Sequence, residues 1–189
     1  MGKKKKTAAR QPMTWIIITC VLVSFIAGAG FSAFQLGNGS PGTASMPSGV
    51  SSRIAALKAE VTRNPDNVNA WINLGNTYFD SDQYQASIDA YSRALELDPL
   101  NANVITDMGV MFRRSGRPEK AVEAFDRAIA ADPTHETSRM NKGIVMLNDL
   151  NDTRGAVAAW EGLLQLNPYF MVGNGKSLKE IVAAYKEES

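Results

Sequence analysis

The sequence predicts an all-α chain: a solenoid of three helix pairs with a flanking helix at each end, preceded by a single transmembrane helix. Three observations carry this. Proline recurs at Pro65, Pro99, Pro133 and Pro168, at gaps of 34, 34 and 35 residues, each time after Asn or Asp (Asn64, Asp98, Asp132, Asn167). Small and aromatic residues recur in one register within each period. Residues 14–36 run for 23 positions without a charge. A fixed period of this size marks stacked helical units. The residue before a proline is pushed out of the helical region, so each Asn/Asp-Pro pair ends one helix and opens a turn.

From the N-terminus, residues 1–13 form a basic head with Lys3, Lys4, Lys5, Lys6 and Arg10. Residues 14–36 then read as a transmembrane anchor, long enough to cross a hydrocarbon core of ~30 Å. Trp15 stands at its boundary, where an indole ring can be apolar on one side and wet on the other. Positive charge stays on the cytoplasmic side, so the expected topology is single-pass, with a cytoplasmic N-terminus and an extracytoplasmic (periplasmic) body. Ala27-Gly28-Ala29 and Ser32-Ala33 also offer small residues to a peptidase, so a cleaved signal segment stands beside the retained anchor. Ser24, Gly28 and Ser32 fall at four-residue spacing, which lets two membrane helices approach closely. Residues 37–49 follow as a flexible linker. Nine of these 13 residues are Gly, Ser or Pro, a composition whose reach is on the order of 20 Å.

The body has a different charge balance. From residue 37 onward there are 15 Lys plus Arg against 19 Asp plus Glu. A mildly acidic body without a basic cluster argues against nucleic acid. One cysteine, Cys20, and one histidine, His135, leave no disulfide within the chain and no Cys/His zinc site. No carboxylate pair stands out for acid–base work. His135 is expected exposed, at a turn after Pro133. The reading is of a protein that is not an enzyme and carries no metal or cofactor.

A leading helix at 50–67 places Ile54, Leu57 and Val61 at helical spacing. The first period, residues 68–101, carries Trp71, Leu74, Gly75, Tyr78, Ser87, Tyr91, Ala94 and Pro99. The second, 102–135, carries Ile105, Met108, Gly109, Phe112, Ala121, Phe125, Ala128 and Pro133. The third, 136–170, keeps Gly143 and Met146 in register, but Arg139 and Lys142 replace apolar residues. One residue is inserted before Ala156, Trp160, Leu163 and Pro168 resume the pattern. Gly75, Gly109 and Gly143 are expected where the first helix of a pair meets the second most closely. Residues 171–189 read as a turn and a C-terminal capping helix. Leu178, Ile181, Val182 and Tyr185 make an apolar stripe, and Ser177 with Glu180 makes a capping box.

Two motifs within this span are decoys. A phosphate loop would need glycine five residues before Gly175, and that residue is Phe170; no strand precedes it either. A calcium loop starting at Asp149 would need glycine at its sixth position and Glu at its twelfth, where Arg154 and Trp160 stand.

The register W-x2-L-G-x2-Y…A-x3-F-x2-A-x4-P over residues 68–168 resembles the tetratricopeptide repeat. The resemblance implies a right-handed superhelix whose first helices line a concave groove that binds a peptide or protein partner. The groove positions it implies are Asn69, Ile72, Asn76 and Phe79 in the first repeat. Asn103, Thr106, Val110, Arg113 and Arg114 follow in the second, and Met140, Ile144 and Leu147 in the third. The carboxylate clamp of the chaperone-binding subclass is incomplete: Asn76 matches, but Ile72, Asp107, Met140 and Ile144 stand where it needs Lys, Asn or basic residues. Anchor, tether and repeats together resemble the layout of envelope assembly proteins of a bacterial inner membrane. The stretch at 56–75 looks like that of the tetratricopeptide proteins of cytochrome c maturation. The expected function is a membrane-anchored adaptor for a protein partner, with a self-associating scaffold, a homo-oligomer, as the alternative.

Overall fold

The computed structural model describes residues 48–173 and 175–187. The basic head, the apolar span at 14–36 and residues 37–47 of the linker lie outside the described residues. Among the described residues, no helix is long and apolar enough to cross a membrane.

Eight helices are described: α1 (Ser48–Arg63), α2 (Val68–Asp80), α3 (Tyr84–Leu97), α4 (Ala102–Arg114), α5 (Pro118–Ala131), α6 (Glu136–Asn148), α7 (Thr153–Leu166) and α8 (Leu178–Glu187). Helix α1 begins two residues earlier than the composition suggests, taking in Ser48 and Gly49, and ends just before Asn64-Pro65. Three pairs follow: α2–α3, α4–α5 and α6–α7. Asn67 and Asn101 cap α2 and α4, each side chain accepting from the backbone N–H three residues on. That satisfies one of the orphan donors of a helix start. His135 holds the same place before α6 but makes no such cap.

The turns inside the pairs share one device. Asp82, Gly116 and Asn151 have φ of 55°, 74° and 54°, in the left-handed region that only Gly, Asn and Asp visit readily. The residue inserted in the third period lengthens the last of these turns, between α6 and α7.

Glycine sets the distance within each pair. A Cβ at Gly75 would lie 2.4 Å from the Tyr91 ring, at Gly109 2.6 Å from Phe125, and at Gly143 2.1 Å from Trp160. The aromatic of the second helix therefore lies directly on the backbone of the first. Hydrogen bonds fix two of these rings: Tyr91 donates to Asn76 Oδ1 at 2.7 Å and Trp160 Nε1 to the Met140 carbonyl at 3.2 Å. At the leading end, Trp71 Nε1 donates to the Pro65 carbonyl at 2.7 Å and ties α2 to the turn after α1.

The core is segmented, as one-dimensional stacking requires. Ile54 and Val61 of α1 close the first pair together with Leu74 and Tyr78. Ile88, Leu95, Ile105, Met108 and Met111 join the first pair to the second. Ala121, Phe125 and Val145 join the second to the third. Leu178 and Val182 of α8 cover Trp160 and Leu163.

The chain reaches α8 through a tight turn. Met171 and Ser177 form an antiparallel bridge around Gly175, whose φ is +78°. Ser177 is the bridge partner, and its carbonyl receives the Ile181 N–H as α8 begins.

Candidate functional site

The predicted groove residues fall on the first helices of the pairs, α2, α4 and α6. Asn69, Asn103 and Arg114 are exposed; Ile72, Asn76, Phe79, Val110, Arg113, Met140, Ile144 and Leu147 are half-buried. Thr106 is a correction. It is 2% exposed, because its hydroxyl donates to the Ala102 carbonyl at 2.7 Å and lies 2.6 Å from Ser138 Oγ on α6. It locks α4 to α6 and offers nothing to a partner.

His135 extends this lock, so it is not the free turn residue the sequence suggested. Its Nδ1 lies 2.7 Å from Ser138 Oγ and its Nε2 3.0 Å from Asn103 Oδ1. Asp107 stands nearby on α4. Burial pushes its carboxyl above the usual carboxylate range, and the charge of His135 partly opposes that. The buried Tyr91 phenol is pushed upward by its burial first and by the Asp107 carboxylate second.

The C-terminal halves of α4 and α6 enclose a cavity of about 350 Å³. Val110, Val145 and Phe125 supply its apolar walls; Arg113, Arg114, Asn141 and Asp149 supply its polar ones. Arg113 donates to Asp149 at 2.6 Å, and Arg114 reaches Asp82 at 3.1 Å while its guanidinium lies 4.8 Å over the Phe79 ring. Cation–π contact and ion pairing thus fix both arginines before any partner arrives. Partly exposed pairs of this kind are worth up to about 1 kcal/mol, so an incoming acidic group can replace Asp149 or Asp82 at little cost.

The structure therefore brings Val110, Arg113, Arg114 and Phe79 together. It does not bring Met140, Ile144 and Leu147 to them, because these pack against the cluster that α7 and α8 close. Asn141 and Asp149 line the cavity and were not among the groove positions expected from the sequence. The available signal was spacing: Asn141, Val145 and Asp149 recur every four residues along α6 and its end.

Comparison with known proteins agrees with this fold. Tetratricopeptide repeat models match residues 68–101 and 105–137, so these two segments are tetratricopeptide repeats. The crystal structure of MamA superposes with a TM-score of 0.60 at 23% identity, covering 71% of this chain and 83% of that one. The tetratricopeptide domain of Sgt2 from Aspergillus fumigatus gives 0.54 at 26% identity, covering 64% and 78%. The first such domain of Spaghetti (RPAP3), bound to the HSP90 peptide SRMEEVD, gives 0.52 at 20% identity, covering 73% and 94%. No curated protein matches the sequence.

Proposed function

We propose that this chain is a membrane-tethered adaptor that holds an extended or helical segment of a partner protein against α2, α4 and α6. The observation that carries the reading is the cavity between α4 and α6, where two fixed arginines rim an apolar floor. Such a site suits a segment with an apolar anchor followed by an acidic side chain. The RPAP3 domain, of the same fold, holds a peptide in its structure; here the cations sit at Arg113 and Arg114 instead of at the clamp positions.

Tethering through residues 14–36 rests on their 23 uncharged positions behind a basic head. It places the repeats on the extracytoplasmic face of a bacterial inner membrane. A role in an envelope assembly such as cytochrome c maturation draws its support from the stretch at 56–75 alone.

The test is a photo-crosslinker at position 110 of the full chain in native membranes, with position 123 on α5 as control. Adducts should form from position 110, disappear with Phe79→Ala plus Arg113→Glu, and leave helical circular dichroism intact. Equal adducts from both positions, or adducts that survive the double variant, sink the adaptor.

A second observation favours self-association. Leu166, Tyr169 and Met171 are 41%, 87% and 56% exposed beside α8. Tyr169 and Met171 line a cleft of about 440 Å³ together with Leu164 and Pro168. Light scattering on residues 50–189 decides it: a strict monomer at high concentration removes the scaffold.

A further inference from the structure

Arg113 and Arg114 are neighbours on α4, yet they reach in opposite directions. Arg114 goes back to Asp82 in the turn of the first pair, and Arg113 goes forward to Asp149, where α6 ends. The two links are unequal. The Arg113–Asp149 pair is the shorter, 2.6 Å against 3.1 Å. It is also the more sheltered, its side chains 35% and 32% exposed against 43% and 67% for Arg114 and Asp82. Asp149 stands in the wall of the cavity between α4 and α6, on the arginine that a partner's acidic side chain would take.

Asp149 is out of keeping with its own repeat. Six places after the glycine of the pair, the first pair has Ser81 and the second Ser115. Both hydroxyls fold back on their own helix, Ser81 onto the Thr77 carbonyl at 2.7 Å and Ser115 onto the Phe112 carbonyl at 2.9 Å. In the third pair the same place holds a carboxylate that leaves its helix for the repeat before. Its own helix gains nothing from it. Asp149 is the C-cap of α6, where a negative charge meets the negative end of the helix dipole. Arg113 lies in the last turn of α4, where the dipole favours a cation whether or not it is paired. Breaking the pair therefore leaves the arginine well placed. The turn that carries Asp149 is also one residue longer than its two counterparts.

We propose that Asp149 is an internal stand-in for the partner's carboxylate, an autoinhibitory latch on Arg113. The latch rests on the reading of this cavity as the partner site and adds how that site is regulated. An acidic side chain entering beside the apolar floor takes the Arg113 guanidinium as a charge-assisted donor, and Asp149 turns to water. A neutral segment has nothing to offer Arg113 in exchange, so the latch also selects for acid.

Calorimetric titration of the full chain in a non-ionic detergent tests it with two acetylated peptide amides, Ala-Leu-Ala-Glu-Ala and Ala-Leu-Ala-Gln-Ala. The parent chain should bind the Glu peptide, and Asp149→Asn should bind it about fivefold more tightly, the size of one partly exposed ion pair. Asp149→Ser restores the residue of the other two pairs and should show the same gain; it carries the test if Asp149→Asn unfolds. The Gln peptide should show no gain. Asp152→Asn removes a charge of the same turn that caps α7 instead of holding Arg113, and should bind like the parent. If the parent binds the Glu peptide and the Asp149 variants bind it no better, the latch is overturned while the partner site stands. An equal gain with Asp152→Asn, or with the Gln peptide, overturns it as well. If no chain binds either peptide, the partner site falls and the latch with it.

Discussion

The two junctions between helix pairs share one backbone plan and differ in chemistry. Between the first and second pairs, a cluster of eleven buried residues is apolar apart from the Tyr91 hydroxyl, with Ile105 and Met111 fully enclosed. Between the second and third, only Ala121, Phe125 and Val145 are buried in a common cluster. Half-buried Val110, Phe112, Val122 and Leu150 pack around them, and polar links complete the contact: the Lys142–Asp126 ion pair and the Thr106–Ser138–His135–Asn103 chain of hydrogen bonds. The stacking geometry is thus set by glycine, alanine and the aromatic resting on them, and either chemistry can fill what remains. Dry packing supplies stability; polar pairing supplies register and leaves room for cavities.

The comparison breaks first at the dry junction. Ile105→Ala removes a fully buried side chain and should lower the unfolding free energy by about 2–5 kcal/mol. Denaturant midpoints should show the loss in every helix from α2 to α5. A loss confined to α6–α8 would mean that the polar junction, not the dry one, holds the array together.

A smaller effect should appear at the polar junction. Ser138→Ala leaves Thr106 and His135 short of a partner, at a cost of about 1–3 kcal/mol for an unsatisfied buried group. Native-state hydrogen exchange should show protection falling in α6, α7 and α8 while α2–α5 keep theirs. Uniform loss across all helices would erase the distinction between the junctions.

The smallest effect is a gain. Burial raises the Asp107 carboxyl above its ordinary value, so its ionised form is disfavoured in the folded state. Such a group weakens the fold as pH rises through its folded value. Asp107→Asn should therefore raise the thermal midpoint slightly at neutral pH, and the gain should fade in acid, where both states carry the proton. A gain that grows toward acid would reverse the sign and place a stabilising partner beside Asp107.

Much of this fold was legible in the sequence because it repeats. The proline period located all three pairs, Gly75, Gly109 and Gly143 marked the closest approaches, and the inserted residue fell in the α6–α7 turn. What escaped depends on contacts between repeats. Thr106 occupies a groove position by count but is buried by Ser138, which lies 32 residues on. His135 looked like a turn residue, yet its ring reaches sideways to Asn103. Arg139 and Lys142 were visible as departures from the pattern, but the cavity they line appears only when Ala158 and Gly162 are placed opposite them. Counting along one helix cannot show what another helix has given up.

Trp71 and Trp160 sit at opposite ends of this stack, one tied to the Pro65 carbonyl and the other to the Met140 carbonyl. Each indole therefore emits from the environment of a different terminal pair. With Trp15 and one of these two replaced by phenylalanine, fluorescence would follow the opening of either end separately. The array carries its own pair of optical gauges, and the order in which they change colour on heating is the order in which the repeats let go.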